Sequence, residues 1–481
     1  MKQFYFLFLF LSFSYSVISA KCIRVVNNLE FNDKVKALNP GDSIILANGV
    51  WKNARLIFKG NGQKDNYIYL AAETAGKVLI EGKSYLQMSG KWLHVSGLVF
   101  VDGYSPLNSV IDFKTGYKEY AYNCVLSECV IDKFNKPSKD SADHWIGVYG
   151  KHNTIEKCYL AGKTNIGATL VVWPNDTNSI HNGHLIYRNY FGPRPRLLLN
   201  GGETIRIGTS QVSTKSSETI VDGNYFEHCN GESEIISNKS TDNKFRNNTF
   251  FECEGSLVLR HGNRAIVTGN WFIGNGRKFT GGIRVINEGH LIFNNFFYKL
   301  RGEEFRSALA IMNAILNSPA YGYAPVKNVV IANNTYYDCA FPWAFGVGSG
   351  KCKCTVRPEE VSLINNLVYC PNTDELVKEY DHSDRILMDN NLMINSKGLS
   401  NEKGAISGNI IMGKVGDFDI VYTNAKAKIS GFGKLDIQGQ TRYNETVIGS
   451  FQNIAINSLN GIATSKNCGP NWYISRTKSK L

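Results

Sequence analysis

Two glutamates spaced two residues apart, Glu232 and Glu234, carry the clearest chemical signal in this 481-residue chain. Because alternate residues of a strand project from one face, both carboxylates would point the same way. Lys239 follows five residues later, and Arg260-His261 begins 21 residues after the lysine. If the next segment stacks one coil above, the arginine lies beside the lysine. Paired carboxylates able to hold a hard cation, next to a base and an acid, indicate chemistry on an anionic substrate.

The net charge of the chain points to an acidic partner. The formal charge is +12 and the isoelectric point is near 9.0. Basic proteins bind nucleic acid, anionic lipid or acidic polysaccharide. No helical basic motif or cluster of lysine and arginine indicates nucleic acid, so an acidic polysaccharide is the expected partner. A basic surface without a specific partner is the alternative.

The start of the chain, residues 1–20, predicts a secretion signal. Lys2 supplies the positive charge, and an apolar run over residues 4–17 precedes small residues at a plausible cleavage point. A membrane anchor is the alternative, but the run is shorter than the ~20 residues that a spanning helix needs. Lys21 before Cys22 disfavours lipid attachment. We expect a secreted or periplasmic protein without stable membrane insertion.

The chain has eleven cysteines and no cysteine spacing typical of a zinc site. Several recur at similar places in repeated phrases, namely Cys129, Cys158, Cys229, Cys253 and Cys339. In a repeat fold this predicts small buried side chains that stack as free thiols. One or two disulfides are also compatible with an exported protein.

A short phrase, asparagine followed by two residues of which the second is apolar or aromatic, recurs along the chain. Half of its intervals are 22 to 25 residues, and the longer ones indicate inserted loops. The repeat asparagines are Asn189, Asn224, Asn248, Asn270, Asn295, Asn334, Asn366, Asn391 and Asn409. We expect each to occupy a left-handed corner and to hydrogen-bond to the next along a stacked ladder.

The repeat predicts an all-β fold, a right-handed parallel β-helix with one short-stranded turn per unit. The units are rich in β-branched and aromatic residues and lack helical periodicity. A propeller needs about 40 residues per blade, which the spacing does not provide; a sandwich is the other alternative. We expect one domain over 21–481, with an N-terminal cap, the clearest repeat over 120–415 and an irregular tail over 427–481 that packs on the solenoid.

Counting from the repeat asparagines brings the chemical residues into alignment. Asn200, Glu234, Arg260 and Arg284 follow their asparagines by 11, 10, 12 and 14 residues. They are therefore predicted to share one sheet on four successive coils, in a stripe roughly 15 Å long from the spacing of neighbouring strands. Outward charges on a solenoid are usually only solvated, which is the alternative for each residue taken alone.

Four runs in this region resemble those of family-6 polysaccharide lyases, the family of alginate lyases and chondroitinase B. They are the runs 200–208 and 232–240, Arg260-His261-Gly262 and Gly281-Gly282-Ile283-Arg284. Order and spacing also match, over roughly residues 22–475. The 203–206 run and Arg284 resemble the alginate branch more than the chondroitinase branch.

The resemblance implies a β-helix that cleaves 4-linked uronides by β-elimination. It implies Ca²⁺ held by Asn200, Glu232 and Glu234, with Lys239 as base and Arg260 as acid. Arg206, His261 and Arg284 would then hold the substrate, an anionic polysaccharide such as alginate. A dermatan sulfate or chondroitin lyase is the alternative within the family.

Elementary chemistry agrees with these roles. The proton at C5 lies next to an ionised carboxylate, so a cation is needed to neutralise that charge and stabilise the enolate-like intermediate. A free lysine has a pKa of about 10.4 and needs positive neighbours or desolvation to act as a base. Arginine normally stays protonated, so Arg260 either donates the proton or polarises the leaving oxygen and relays a proton through water.

Two other function classes remain open from the residues. A β-helix hydrolase of the pectinase kind would need carboxylic acids as its catalytic pair, whereas Glu232 and Glu234 are better suited to a metal. A non-catalytic solenoid that binds acidic polysaccharide would bind tightly and form no product.

Overall fold

The computed structural model describes residues 20–351, 353–416, 418–428, 431, 433–443, 445–452 and 462–473. The predicted secretion signal lies outside the described residues except for residue 20. In the described part of the chain, no helix has the length and apolar character needed to cross a bilayer. Most strands of the described chain belong to three long sheets of mainly parallel strands, which confirms the parallel β-helix.

Nearly every coil contributes one strand to sheet I. Its fourteen strands, in spatial order, are Cys22–Val25, Ser43–Leu46, Ile68–Ala72, Leu93–Ser96, Val125–Ser127, Thr154–Glu156, Leu185–Tyr187, Ile220–Asp222, Lys244–Arg246, Ile266–Thr268, Leu291–Phe293, Lys327–Ala332, Glu359–Ile364 and Ile386–Asp389.

Sheet II bears the chemical residues of the sequence. In spatial order its strands are Lys114–Gly116, Glu119–Tyr122, Tyr85–Lys91, Ser109–Asp112, His144–Val148, Leu170–Val172, Ile205–Gly208, Glu234–Lys239, Ser256–His261, Ile283–Val285, Leu309–Met312, Trp343–Val347 and Val377–Glu379, with Arg55–Asn61 also paired to Tyr85–Lys91. The first two form an antiparallel hairpin at one end of the sheet.

Sheet III completes each coil. Its strands, in spatial order, are Gly49–Lys52, Val78–Lys83, Leu98–Tyr104, Val130–Asp132, Tyr159–Ala161, Tyr190–Phe191, Tyr225–Glu227, Thr249–Phe251, Trp271–Ile273, Phe296–Tyr298, Thr335–Tyr337, Leu367–Tyr369, Leu392–Asn395 and Gly398–Leu399. Three small antiparallel pairs lie outside these sheets. They are Ala314–Ile315 with Cys354–Val356, Ile410–Val415 with Phe418–Thr423, and Lys426–Lys428 with Glu445–Val447.

An asparagine ladder runs along the inside of the solenoid, as the repeat predicts. The backbone N–H and the side-chain Nδ2 of Asn248 both donate to Oδ1 of Asn270, at 3.0 and 2.9 Å. The same pair of bonds joins each repeat asparagine from Asn189 to Asn391, and all eight are fully buried. The ladder thereby satisfies corner groups that burial would otherwise leave unpaired.

Two details of the repeat differ from the prediction. The left-handed corner is occupied by the residue before each ladder asparagine, for example Asn247 (φ 57°) and Asn294 (φ 55°). The ladder asparagine itself donates twice to the next coil. The repeat also does not extend to Asn409, because the strand that follows it pairs antiparallel with Phe418–Thr423 instead of adding a coil.

The core consists of stacked side chains, one per coil. Phe226, Phe250 and Phe272 stack with ring centroids 4.7–4.8 Å apart and planes within 10° of parallel. All five repeat cysteines are free and buried, which confirms the stacked thiols. Cys354 is disulfide-bonded.

A helix covers the N-terminal end of the solenoid, and the C-terminal segment packs along its side. At the N-terminal end, the α-helix Asn28–Lys34 is capped by Asn27, whose side chain accepts from the Glu30 N–H, and it buries Phe31 on the core. The short 3₁₀ helix Val35–Ala37 follows it. Two further 3₁₀ turns, Ser210–Val212 and Glu304–Arg306, lie in loops. Described parts of the C-terminal segment pack on sheet III, where Phe451 contacts Trp271 and Phe296.

Candidate active site

Sheet II brings most of the predicted site residues onto neighbouring strands. Arg206, Glu234 and Lys239, Arg260 and His261, and Arg284 lie on four successive strands, in that order. The strands pair in parallel, with Arg206 beside Ser237 and Val258 beside Arg284. The residues counted from the repeat asparagines therefore do occupy consecutive coils.

The register between two of these strands differs from the simple expectation. An irregularity between Ser237 and Lys239 shifts the pairing, so Lys239 lies opposite His261 instead of Arg260. The fully buried Asn238 donates to the His261 carbonyl oxygen at 3.4 Å in this distorted stretch. A local bulge of this kind redirects side chains, and it makes His261 the strand neighbour of the lysine.

Asn200 and Glu232 lie in the turns that precede their strands. Gly202 and Gly231 bring these turns together, because a Cβ at Gly202 would lie 2.4 Å from the Gly231 carbonyl carbon. Both turns line a cavity of about 360 Å³. This close backbone approach places Asn200 and Glu232 beside one open space.

A third glutamate, Glu203, lies near Glu232 and Glu234, although the sequence pattern did not mark it as a site residue. Burial, together with the negative charges of Glu203 and Glu234, raises the pKa of Glu232 to about 8. Glu203 is 4% exposed, and its Oε2 has no hydrogen-bond partner among the described groups. Lys239 Nζ lies 3.8 Å from Glu203 Oε1. The only sequence signal was the position of Glu203 in the glycine-rich run just before a sheet II strand.

These residues fit a hard cation by chemistry. They offer carboxylate and amide oxygens, which Ca²⁺ prefers, and they include a buried carboxylate oxygen, Glu203 Oε2, without a hydrogen-bond partner among the described groups. In the described part of the chain, no three His, Cys, Asp or Glu side chains stand close enough to hold a metal by themselves. The cluster thus supplies charge and donors but is not a closed protein cage.

Arg260 is fixed by a loop from 60 residues away. Its guanidinium donates to the carbonyl oxygens of Gly322 (2.6 Å) and Tyr321 (3.0 Å) and lies 4.4 Å from the ring centre of Tyr323. Its Nε is 3.7 Å from Glu234 Oε1. The Arg260 guanidinium therefore has a defined orientation on the face of sheet II.

The Glu234 carboxylate lies close to two arginine side chains. Its Oε1 is 3.7 Å from both Arg260 Nε and Arg284 Nη1, and its other oxygen accepts from the Ser237 hydroxyl. Arg284 is 4% exposed, donates through Nε to the Phe305 carbonyl at 3.0 Å, and has an Nη2 without a partner among the described groups. A buried guanidinium with an unused donor is suited to an incoming carboxylate.

His261 is held as a neutral imidazole. Burial, together with the positive charges of Arg260 and Lys239, lowers its pKa to about 3. Its Nε2 shares a 3.1 Å hydrogen bond with the Ser210 hydroxyl. Near neutral pH the ring is therefore a hydrogen-bonding group beside Lys239 and not a source of positive charge.

Arg206 lies at the edge of this group. Its guanidinium stacks 5.1 Å from the ring centre of Trp173 on the preceding coil, and its Nε has no partner among the described groups. All eight predicted site residues thus lie on, or directly before, successive sheet II strands. Glu203, Trp173 and the 321–323 loop are the additions that the structure makes.

This arrangement can be compared with known proteins. The model of the chondroitinase B family matches residues 25–438. The chain belongs to this family, polysaccharide lyase family 6. No curated protein sequence matches the chain significantly.

Solved structures of the lyase family resemble the chain throughout its solenoid. The family-6 alginate lyase AlyGC is 38% identical, with a TM-score of 0.82 over 92% of this chain. A mannuronic acid specific family-6 lyase from human gut microbiota is 32% identical, with a TM-score of 0.72 over 80% of this chain and 88% of its own. A family-6 lyase from Pseudopedobacter saltans is 25% identical, with a TM-score of 0.66 over 80% of this chain and 97% of its own. The chain spans 58% of the length of AlyGC.

Proposed function

We propose that this protein is a secreted, Ca²⁺-dependent polysaccharide lyase that cleaves 4-linked uronides, with alginate as the substrate, by β-elimination. The observation that carries the proposal is the meeting of Lys239, Arg260 and the oxygen cluster of Glu203, Glu232 and Glu234 on one face of sheet II. Base, cation and hard-ligand oxygens are the groups that this elimination needs. Secretion rests on the sequence of residues 1–20 alone.

Asn200, Glu232 and Glu234 would hold Ca²⁺, with Glu203 adjacent. When bound, the ion supplies Lewis-acid neutralisation of the substrate carboxylate next to the reacting carbon. Arg284 and Arg206, each with an unused buried donor, bind and orient uronate carboxylates.

Lys239 removes the C5 proton. The neutral amine of Lys239 takes this proton and becomes an ammonium ion, which Glu203 Oε1 stabilises from 3.8 Å away. The strand neighbour of the lysine, His261, is a neutral imidazole and adds no positive charge. Arg260 faces the leaving oxygen as a fixed cation. Because two carbonyls and Glu234 hold its guanidinium, we favour polarisation of that oxygen, with the proton relayed through water, over direct donation by arginine.

Alginate is proposed over glycosaminoglycans because AlyGC, an alginate lyase, shares 38% identity with the chain. A dermatan sulfate or chondroitin lyase is the second candidate, since the matching family model is that of chondroitinase B. The purified protein should be assayed on polymannuronate, polyguluronate, dermatan sulfate and chondroitin sulfate, by absorbance of the unsaturated product.

The expected result is product from alginate in the presence of Ca²⁺, loss of the product with chelator, and its return on adding Ca²⁺. Lys239→Ala should abolish product formation without changing the thermal unfolding midpoint by more than a few degrees. Product from dermatan sulfate alone would replace the alginate assignment. Tight polyuronate binding without any product would indicate a non-catalytic solenoid.

A further inference from the structure

Arg194 is a buried arginine beside the candidate active site that none of the chemistry proposed above uses. It is 3% exposed and follows the sheet III strand Tyr190–Phe191, shortly before the turn of Asn200. A buried guanidinium is costly unless its donors are hydrogen-bonded. The acceptors of those hydrogen bonds therefore indicate what the side chain does.

The guanidinium of Arg194 donates to backbone oxygens on two successive coils. Its Nη1 donates to the Glu203 carbonyl oxygen at 2.7 Å, and its Nη2 donates to the Gly201 carbonyl oxygen at 3.3 Å. Nη2 also donates to the carbonyl oxygens of Asn165 (2.9 Å) and Gly167 (3.0 Å) on the preceding coil. One side chain therefore joins the turn of Gly201 and Glu203 to the coil before it.

The same two turn carbonyls also accept backbone hydrogen bonds from the preceding coil. Gly167 N–H donates to the Gly201 oxygen at 2.8 Å, and Thr169 N–H donates to the Glu203 oxygen at 3.1 Å. Each carbonyl thus uses both of its lone pairs, one on a backbone amide and one on Arg194. This arrangement fixes the backbone of the turn that ends at Glu203.

A buried ion pair fixes the preceding coil in turn. Lys163 Nζ lies 2.5 Å from Asp143 Oδ1, and neither side chain is more than 1% exposed. The Asn165 side chain donates to the same Asp143 oxygen at 2.8 Å and accepts from Lys163 Nζ at 2.9 Å. The coil to which Arg194 is bound is therefore held by its own buried network.

The other side of Arg194 faces the turn that carries Glu232. A Cβ at Gly231 would lie 2.9 Å from Arg194 Nε and 2.2 Å from the Gly202 carbonyl oxygen. Glycine at position 231 therefore lets this turn approach both the guanidinium and the turn of Gly202. The backbone of Arg194 is fixed as well, because its carbonyl oxygen accepts from Asn230 N–H at 3.0 Å.

Arg194 also brings a positive charge to the carboxylates. Burial lowers the pKa of Arg194 to about 10, which leaves its guanidinium charged near neutral pH. This charge works against burial, which raises the pKa of Glu232. It thereby favours the ionised carboxylate, which is the form that binds a cation.

We propose that Arg194 is a positioning residue that holds both turns of the proposed Ca²⁺ site in their binding arrangement before the ion arrives. These turns carry Asn200, Glu203 and Glu232. An arginine is needed because its planar fork reaches carbonyl oxygens on both coils, whereas a lysine ammonium is a single point charge. Turns that are already ordered lose little conformational entropy when the ion binds. The inference rests on the proposed function, because it assigns Arg194 a role in that Ca²⁺ site.

The test measures Ca²⁺ binding separately from turnover. Calorimetry without substrate gives the Kd of Ca²⁺ for the unaltered protein and for Arg194→Lys. Loss of the fork is expected to weaken Ca²⁺ binding about 10- to 100-fold, the usual effect of removing a group that orients metal ligands. Because the lysine and arginine of the reactive centre are intact, Arg194→Lys should regain kcat to within about threefold at saturating Ca²⁺.

Arg442→Lys is the matched control. Arg442 is 4% exposed, and its guanidinium also donates to backbone carbonyl oxygens, those of Val447 (2.9 Å) and Gly449 (2.7 Å). It contacts Asn294, between strands of sheets I and III, and not the turns of sheet II. The control should lower the unfolding midpoint about as much as Arg194→Lys does and leave the Kd of Ca²⁺ unchanged.

A measurement on the unaltered protein covers the case in which Arg194→Lys does not fold. Because Arg194 holds the turns without metal, the Gly167 and Thr169 amides should be protected from hydrogen exchange to the same degree with chelator and with Ca²⁺. Protection that appears only with Ca²⁺ would show that the ion, and not Arg194, orders the turns, and would overturn the proposal.

Two results from the variants would also overturn the proposal. They are an unchanged Kd of Ca²⁺ in Arg194→Lys and an equal rise of that Kd in Arg442→Lys. The proposed function fails by a different measurement, namely absence of unsaturated product when the unaltered protein is given any polyuronate with Ca²⁺. Normal product formation together with an unchanged Kd in Arg194→Lys would therefore reject only the role of Arg194.

Discussion

At the scale of single residues, three acidic side chains of the candidate active site lie close to three basic ones. Glu203, Glu232 and Glu234 face Lys239, Arg260 and Arg284, and no carboxylate is fully committed to one partner. The unpaired Oε2 of Glu203 is the observation that most favours the proposed Ca²⁺ site, because a buried carboxylate oxygen without a partner is costly.

Glu203→Gln should raise the Ca²⁺ concentration needed for half-maximal activity by about tenfold, the effect of removing one charged contact of roughly 1.4 kcal/mol. The measurement is a Ca²⁺ titration of product formation. Glu254→Gln is the control and should shift the titration less than twofold, because Glu254 lines the same cavity as Glu232 but is paired with Arg196. Equal shifts in the two variants would show a general charge effect instead of a role for Glu203.

Arg260→Lys should lower kcat at least a hundredfold, because lysine keeps the charge but cannot donate to both loop carbonyls and stack on Tyr323. Arg264→Lys is the matched control, since Arg264 pairs with Asp242 on the exposed surface. Steady-state kinetics on polymer compare the two. Near-normal kcat in Arg260→Lys would mean that positive charge alone is sufficient at this position.

At the scale of elements, two devices position the site. The asparagine ladder keeps successive coils in register, and the loop closed by the hydrogen bond from Ile315 N to Tyr323 O (3.0 Å) presents its carbonyls to Arg260. The ladder follows from a pattern that repeats along the sequence. The position of the loop depends on a contact between segments about 60 residues apart.

Asn248→Ala should lower the free energy of unfolding by about 2–3 kcal/mol. The substitution removes the side-chain partner of the Asn224 backbone N–H and of the Val221 carbonyl, and each unsatisfied group costs about 1–3 kcal/mol. Chemical denaturation followed by circular dichroism measures the change. Asn263→Ala, at an exposed contact with Glu288, should change the free energy of unfolding by less than about 0.5 kcal/mol. A similar loss in both variants would show that the buried ladder bonds contribute no special stability.

Tyr323→Ala should lower kcat up to about tenfold while leaving the unfolding midpoint nearly unchanged. Arg260 loses an aromatic contact worth about 0.5–2 kcal/mol and its loop loses an anchor. Kinetics at saturating substrate give the effect. Leu316→Ala, in the same loop with a 69% exposed side chain, should retain normal kcat, and an equal loss in both would point to general loosening of the loop.

At the scale of the whole molecule, the raised pKa of Glu232 makes stability depend on pH, and the proposed Ca²⁺ site would make it depend on metal as well. The folded-state pKa of Glu232 is raised, so between its ordinary pKa near 4.5 and about 8 the folded protein binds more protons than the unfolded one. Stability must then fall as pH rises through that window. Burial is the main cause of this shift, and the charges of Glu203 and Glu234 add to it; a bound divalent cation would offset both by stabilising the ionised carboxylate.

Thermal unfolding with chelator should therefore show a lower midpoint at pH 8 than at pH 5.5, after correction by a Glu232→Gln variant for the other titrating groups. Adding Ca²⁺ should raise the midpoint more at pH 8 than at pH 5.5. Identical pH profiles for the unaltered protein and Glu232→Gln would contradict the coupling.

The sequence by itself determined the solenoid, the coil that each chemical residue occupies and the family. These follow from local repetition, because stacked coils convert a spacing of about 22–25 residues into neighbouring strands. Only the tertiary structure decided that His261 faces Lys239, since a bulge alters the register without altering the count. It also brought Glu203 and the 321–323 loop to the site, because these contacts depend on where turns and insertions fold back, and no periodic pattern records that.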